Sequence, residues 1–391
     1  MRGEERGARR SGKRRRRVGF VIDDQVPSLA NTVRCRCPPL GMLRGWAAFS
    51  PMGEMRYGWI AEVVNADTAA SLHYELYRPM RRYDALVFLK SMGPQAQAVA
   101  RRARARGTRI LFDLNVDYLT EASGTAYYDG MMPNVGQRAE ALAMFAMADS
   151  VIADSEHLAA VASEHHSRVR WIPDNVNLSR RPVERARRGR VDGVTRLLWC
   201  GTAPKMVELL AAKSALLAVK NHVQLVVCTD DMSRIDRCFE PWRTELKDLL
   251  SQLDVVVERY AGIKALLKLY ARGGVFIAPR HLDNSYNLGH TEWKIALPMS
   301  VGVFCLVAPL RSYQAVHERS GGRGLRICTD ADAWASALDD VLSDRVDWTL
   351  EATEGELVIR THYATRVVAR DHLEWVQACL GQAEATERNH E

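Results

Sequence analysis

The stretch Asp283 to Gly302, DNSYNLGHTEWKIALPMSVG, gathers Asn287, His290, Thr291, Glu292 and Lys294 where a polar loop runs into an apolar helix. Thr291 reads as an N-cap and Glu292 suits a first turn. Lys294 then stands beside amides that have no partner, and free amides with a lysine are a means of holding phosphate. Trp293, Ile295, Leu297 and Met299 are the residues that bury this helix, and Pro298 predicts a kink by removing one backbone bond. Taken alone, Asn287 and His290 fit ligands or polar groups that satisfy their own loop.

A second such place is WCGTAPKMVELL, where a strand ends at Gly201, a tight loop passes Thr202, and Lys205 leads into a helix. It has neither Walker spacing nor the glycines of a dinucleotide fingerprint, so nucleotide hydrolysis and dinucleotide binding are not indicated. A plain surface lysine is the alternative reading. In the first half, Asp113, Asn115 and Asp117 stand at a strand end as D-x-N-x-D. Tyr118 occupies the place of the glycine a calcium loop requires, and no bidentate glutamate follows, so calcium is rejected. Asp113 or Asp117 could instead take a hydroxyl proton, bind the molecule that carries it, or cap the next segment. Arg34, Arg36 and Arg44, in NTVRCRCPPLGMLR, suit a phosphorylated or acidic ligand or are surface charge. His165 and His166 are adjacent and point apart in a helix. No Ser-His-Asp or H-E-x-x-H pattern occurs, and a lone C-x-C at Cys35 and Cys37 lacks the second pair a zinc site needs. No metal is expected.

The elements that must position these residues alternate. Apolar runs RVGFVID (17–23), DALVFLK (84–90), RILFDL (109–114), SVIAD (150–154) and VRWIP (169–173) read as buried strands with helices between. NLSRRPVERARRGRVDGVTR has no hydrophobic face and reads as a linker. The alternation restarts with RLLWCG (196–201), VQLVVCTD (223–230), VVVERY (255–260), VFIAP (275–279), FCLVAP (304–309) and GLRIC (324–328). The expected fold is α/β, with two Rossmann-like doubly wound domains whose strand ends face a cleft. The boundaries read as a basic tail at 1–16, a first domain at 17–180, a linker at 181–196 and a second domain at 197–362. A helix at 363–383, packing back on the first domain, and a polar tail at 384–391 complete the chain.

At 391 residues, 47% hydrophobic and 26% charged, the composition is that of a globular protein with room for two cores. The net charge of +7 comes from residues 1–17, which carry eight Arg and one Lys against two Glu; the remainder holds 45 basic and 45 acidic residues. A neutral body argues against specific nucleic-acid binding. The arm is a solubilising tail or a contact for phosphates or an anionic membrane face. No run reaches the length of a membrane span or a signal core, and Cys200, Cys228, Cys305, Cys328 and Cys379 sit singly in apolar surroundings. Both point to the cytoplasm, with peripheral contact at the inner membrane face left open.

The order Ala278, Pro279, Asp283, Asn287, Thr291, Lys294, Gly302, Ser312 and Tyr313 resembles the donor-site region of group 1, family 4-like retaining glycosyltransferases of the GT-B fold. YDALVFLK, RGTRILFDLNVDYL, ADSVIADSEHL and WIPDNVNL are similar to the first half of the same family. The resemblance implies an enzyme of carbohydrate biosynthesis that moves a sugar from a UDP-, GDP- or dTDP-sugar to a hydroxyl acceptor, which could be phosphorylated or lipid-linked. No further cofactor is implied. It places the donor on Gly201, Thr202, Lys205, Asn287, His290, Thr291, Glu292 and Lys294, with Lys205 and Lys294 neutralising the diphosphate. Arg34 and Arg36 fall on the acceptor side, with Asp113 and Asp117 as catalytic candidates. The family's pair of donor-binding glutamates falls on Gly289 and Leu297, so Glu292 is the remaining candidate for that contact unless it is a solvated first-turn residue. The alternative is a non-catalytic GT-B-like binding or scaffolding subunit that has lost the ribose-binding carboxylate.

Overall fold

The computed structural model describes residues 15–22, 51–121, 123–180, 190–191 and 193–388. Arg34, Arg36, Arg44, Cys35, Cys37, residues 1–14 of the basic arm and most of the expected linker lie outside the described residues.

Six parallel strands form the first sheet: β1 (Arg16–Ile22), β2 (Leu72–Leu76), β3 (Ala85–Leu89), β4 (Arg109–Leu114), β5 (Ser150–Ala153) and β6 (Val169–Trp171), in the order β2-β1-β3-β4-β5-β6. Every residue of β3 is buried, as expected of a parallel strand covered on both faces. One face packs Leu86, Phe88 and Phe112 under the helices Pro94–Arg104 and Val135–Met147. The other packs Val18, Phe20, Val87 and Ile152 under the helices Trp59–Ala66 and Thr365–Arg388. At Gly19 in β1 a Cβ would stand 2.8 Å from both Leu86 and Tyr83, so a side chain there has no room. β2 escaped the sequence reading because LHYEL mixes polar with apolar residues; it is an edge strand with His73, Glu75 and Leu76 partly exposed.

The second sheet has the order β10-β9-β8-β11-β12-β13, from β8 (Val194–Cys200), β9 (Val223–Thr229), β10 (Asp254–Arg259), β11 (Val275–Ala278), β12 (Cys305–Val307) and β13 (Leu325–Ile327). β7 (Arg190–Val191) pairs antiparallel with the start of β8. The last residues of the expected linker are therefore strand. Gly193, at φ +82°, makes the tight turn of this hairpin rather than marking an unstructured connection.

In both sheets the strand order reverses once, between β1 and β3 in the first and between β8 and β11 in the second. Crevices for ligands open at such points, beyond the strands' C-terminal ends. The domains meet there. Val176 donates its N–H to Tyr363 O (2.8 Å) and Thr365 returns one to Val176 O (3.1 Å), from which the C-terminal helix runs back to bury Val368, Val376 and Cys379 against the first sheet. A second tie joins the loop after β4 to the loop after β11. The Tyr127 hydroxyl donates to Asp283 Oδ2 (2.7 Å), its ring stacks on His281 at 4.4 Å, and Ser285 N–H donates to Ser123 O (3.2 Å). Gly124 pairs with Asn284 there at φ +86°, where any Cβ would collide with Asp283 O. Among the described residues no helix is long and apolar enough to cross a membrane.

Candidate active site

A cavity of about 470 Å³ opens between the two sets of strand ends. Its second-domain wall begins where β8 ends. Cys200, Gly201 and Thr202 lead into a 3₁₀ helix, Ala203–Ala212, whose first amide, on Ala203, donates to Asp230 Oδ1 (2.9 Å). Lys205 projects from this turn. Its ammonium lies 3.0 Å from His290 Nε2 and 5.2 Å over the Tyr286 ring. His290 Nδ1 is 2.9 Å from Tyr286 O, so a neutral ring that donates there accepts from Lys205 with its other nitrogen. Burial, Arg280 and Lys205 together hold the His290 pKa well below the usual value.

Lys294 meets this wall from the other motif. Its ammonium is 3.3 Å from Glu208 Oε2 and 4.6 Å over Trp199, and burial first of all pulls its pKa down to about 8. Arg280, just past β11, shares Glu208 at 2.8 Å. Burial would raise the Glu208 carboxyl, but Arg280, Lys294 and Lys205 outweigh it and hold it below its ordinary value. Glu208 is buried behind the wall, so one carboxylate serves two cations and the cavity face carries surplus positive charge.

The first-domain wall is made of single residues at strand ends: Lys90 after β3, Asn115 after β4, Asp154 after β5 and Asp174 beyond β6. Behind it lies Arg56, fully buried. It donates to Asp113 Oδ1 (2.8 Å), to the carbonyls of Ile172 (2.8 Å) and Pro173 (3.1 Å), and stands 3.5 Å from Asp174. Asn115 donates to Asp154 Oδ2 (3.0 Å). Burial and then Asp174 push the Asp154 carboxyl well above its ordinary value, and its Oδ1 has no partner among the described residues. Thr291 joins the walls by donating to Asp174 Oδ2 at 2.7 Å. At the far end the cavity turns apolar, with Tyr260, Leu266, Tyr270 and Leu297 beside Cys200 and Cys228.

Gly201, Thr202, Lys205, His290, Thr291 and Lys294 thus share one cavity, while four expected site residues do not reach it. Asp113 has no exposed surface and is spent on Arg56. Asp117 closes its own turn, accepting from Leu119 N (3.1 Å) and Thr120 N (2.9 Å), with His157 at 3.8 Å. Asn287 is buried and donates to His281 O (2.8 Å), the loop-satisfying role. Glu292 is not solvated, and it does not line the cavity. It is buried with both carboxylate oxygens unpartnered, and burial, then Asp174, raises its pKa well above the ordinary value. The helix is Trp293–Met299, only seven residues ending just past Pro298; its N-cap position is Glu292, but the Thr291 hydroxyl still accepts from the Trp293 N–H (3.4 Å) while donating to Asp174. The charge of Lys294, not a helix dipole, carries the anion-binding argument at this place. The sequence reading passed over Lys90, Asp154, Asp174 and Arg280. Their common signal was a polar residue directly after a strand's apolar run, as in VFLK, VIAD, WIPD and FIAPR. Among the described residues no group of three or more His, Cys, Asp or Glu is placed to hold a metal ion.

Two parallel sheets, each covered by helices, with a cleft at their facing strand ends, define the GT-B architecture. No family model matches the chain, and no curated protein matches its sequence. Solved structures do. HepE from Anabaena, in complex with UDP and glucose, superposes with a TM-score of 0.60 at 12% identity over 93% of this chain and 99% of that one. A glycosyltransferase from Rickettsia africae gives 0.56 at 11% identity over 93% and 90%, respectively. Sucrose-phosphate synthase from Thermosynechococcus elongatus gives 0.55 at 15% identity over 77% and 74%. The likeness is one of fold: this chain has the GT-B fold of these glycosyltransferases.

Proposed function

We propose that the chain is a glycosyltransferase that moves a sugar from a nucleoside-diphosphate sugar to a hydroxyl acceptor. The observation that carries this reading is the convergence of Lys205, Arg280 and Lys294, from three separated stretches, on one face of the interdomain cavity. In such a transfer the bond from the sugar's anomeric carbon to a phosphate oxygen breaks and its electron pair leaves with the nucleoside diphosphate. The acceptor oxygen forms the new bond, and its proton passes to the departing diphosphate or to Asp174. Negative charge grows on the leaving group, and fixed cations in a site shielded from water stabilise it. The apolar end at Tyr260, Leu266 and Leu297 suits the flat face of a base and ribose. Asp154 and Asp174, on the opposite wall, are placed to bind sugar or acceptor hydroxyls. The UDP- and glucose-bound HepE, whose fold the chain shares, supports the same donor class.

Melting in the presence of UDP, GDP and dTDP tests the reading. One of them at millimolar concentration raises the melting temperature of the wild-type chain, and Lys294→Ala removes the shift. If none of the three shifts melting, the donor site is refuted. Release of nucleoside diphosphate from the matching sugar donor then separates an enzyme from a non-catalytic binding subunit.

A further inference from the structure

Among the described residues, Lys90 is the cation lining the first-domain wall of the cavity, and nothing in the donor-site motifs accounts for it. It directly follows β3, at the crevice where the first sheet reverses its order, and faces the corresponding crevice of the second sheet with Lys205. Three features set it apart. Its backbone is left-handed, with φ +53°, one of only two non-glycine residues in that region among those described. Such a conformation is costly for a non-glycine residue and persists where the surroundings impose it. Its ammonium makes no hydrogen bond or ion pair with the described residues, although Asp154 lines the same cavity. The charges that act on it are Asp154 from its own wall and Lys205, with the Tyr286 hydroxyl, from the other; burial and Lys205 pull its pKa below the ordinary lysine value.

Two lysines on opposite walls of a cavity, one of them strained and unpaired among the described residues, repel each other. An anion between them removes that repulsion and uses both charges. Lys205, Arg280 and Lys294 already line the wall where the diphosphate would lie, and Lys90 reaches toward it from the side of the acceptor. We propose that Lys90 is a further catalytic residue, binding the outer phosphate of the nucleoside diphosphate, the one bonded to the sugar, across from Lys205. The inference rests on the glycosyltransferase reading and adds that the leaving group is held by both domains. Its stabilisation therefore depends on the closed arrangement that the Tyr127–Asp283 and Thr291–Asp174 ties maintain.

The test compares affinities of nucleoside diphosphate and monophosphate, for whichever of UDP, GDP or dTDP binds the wild-type chain. Lys90→Asn removes the charge and keeps a residue type that tolerates positive φ. Lys90→Gly provides a second uncharged variant with no conformational cost there, should the first not fold, and Lys90→Arg keeps the charge. The uncharged variants are expected to lower the ratio of diphosphate to monophosphate affinity about tenfold or more, the worth of one charge-assisted hydrogen bond. Monophosphate affinity should change less than about twofold, and Lys90→Arg should keep most of the ratio. Melting of the ligand-free uncharged variants should match or exceed the wild type. An unchanged ratio in a folded uncharged variant overturns the role of Lys90 while leaving the donor site standing. So does an equal loss of both ligands with a lowered melting temperature, which marks a merely structural lysine. If no nucleoside diphosphate binds the wild type, the reading beneath the inference falls and the inference with it.

Discussion

The two walls of the cavity are built in opposite ways. On the second-domain wall, Lys205 and Lys294 sit in continuous motifs; Lys294 and Arg280 share the buried carboxylate of Glu208, while Lys205 lies against His290 and Tyr286, leaving positive charge toward the cavity. Behind the first-domain wall, among the described residues, Asp113, Asp154 and Asp174 crowd around the buried Arg56, which pairs with Asp113 and Asp174, while burial and Asp174 push the Asp154 carboxyl well above its ordinary value. One wall is thus suited to hold the departing diphosphate, the other to hold hydroxyls. In both, among the described residues, one buried counter-charge pairs with two like charges, Arg56 on one side and Glu208 on the other, and the comparison can be broken by removing it.

The largest effect is expected at Arg56. Replacing it with Met leaves Asp113 and Asp174 buried without a cation and two carbonyls without a donor. Breaking a buried pair from one side costs about 3–5 kcal/mol, so chemical denaturation should show a loss of that order or a failure to fold. The mirror-image change, Glu208→Gln, keeps the shape and one hydrogen bond to Arg280 or Lys294. A smaller loss, about 1–3 kcal/mol, is expected, with tighter binding of nucleoside diphosphate because the wall gains net charge. If Glu208→Gln weakens that binding, the surplus charge is not what holds the anion.

The smallest effect sharpens the distinction between burial and function at Glu292. Its folded pKa is raised above the unfolded value, so its contribution to stability is complete below the ordinary carboxyl value of 4.5 and is lost as pH rises through the raised one. Glu292→Gln removes that loss. The variant should gain stability over the wild type progressively toward alkaline pH, with the nucleotide-induced melting shift unchanged. A reduced shift would return Glu292 to the donor contacts from which its position excludes it.

How much was legible follows the same division. β3, β4, β8, β9 and β11 each carry three or more consecutive apolar residues, as parallel strands covered on both faces do, so the two sheets could be read directly. β2 could not, because an edge strand need not be apolar. Lys205 and Lys294 were legible because each lies in a motif of contiguous residues. The first-domain wall was not, because Lys90, Asn115, Asp154 and Asp174 come together only through strand order and register. In D-x-N-x-D the spacing cannot tell which residue turns to the cavity. Asp113 is taken by Arg56 and Asp117 by its own turn, and Asn115 lines the space between. Glu292 misled because a first-turn acid is usually solvated, whereas this short helix starts beneath the domain interface.

The central claim, that the cationic wall holds a nucleoside diphosphate, is tested most directly by calorimetric titration of UDP, GDP and dTDP into the wild-type chain across alkaline pH. Lys294 binds the anion in its charged form, and its pKa near 8 lies below the ordinary lysine value of 10.5. Over that window the folded chain has released a proton that the unfolded one keeps, so this group makes the ligand-free protein more stable as pH rises while weakening its hold on the anion. The account expects one nucleotide to bind at neutral pH and its affinity to fall between about pH 7 and about pH 9, a fall that Lys294→Ala abolishes along with most of the binding. Absence of binding by all three, or binding that Lys294→Ala leaves intact, would contradict it.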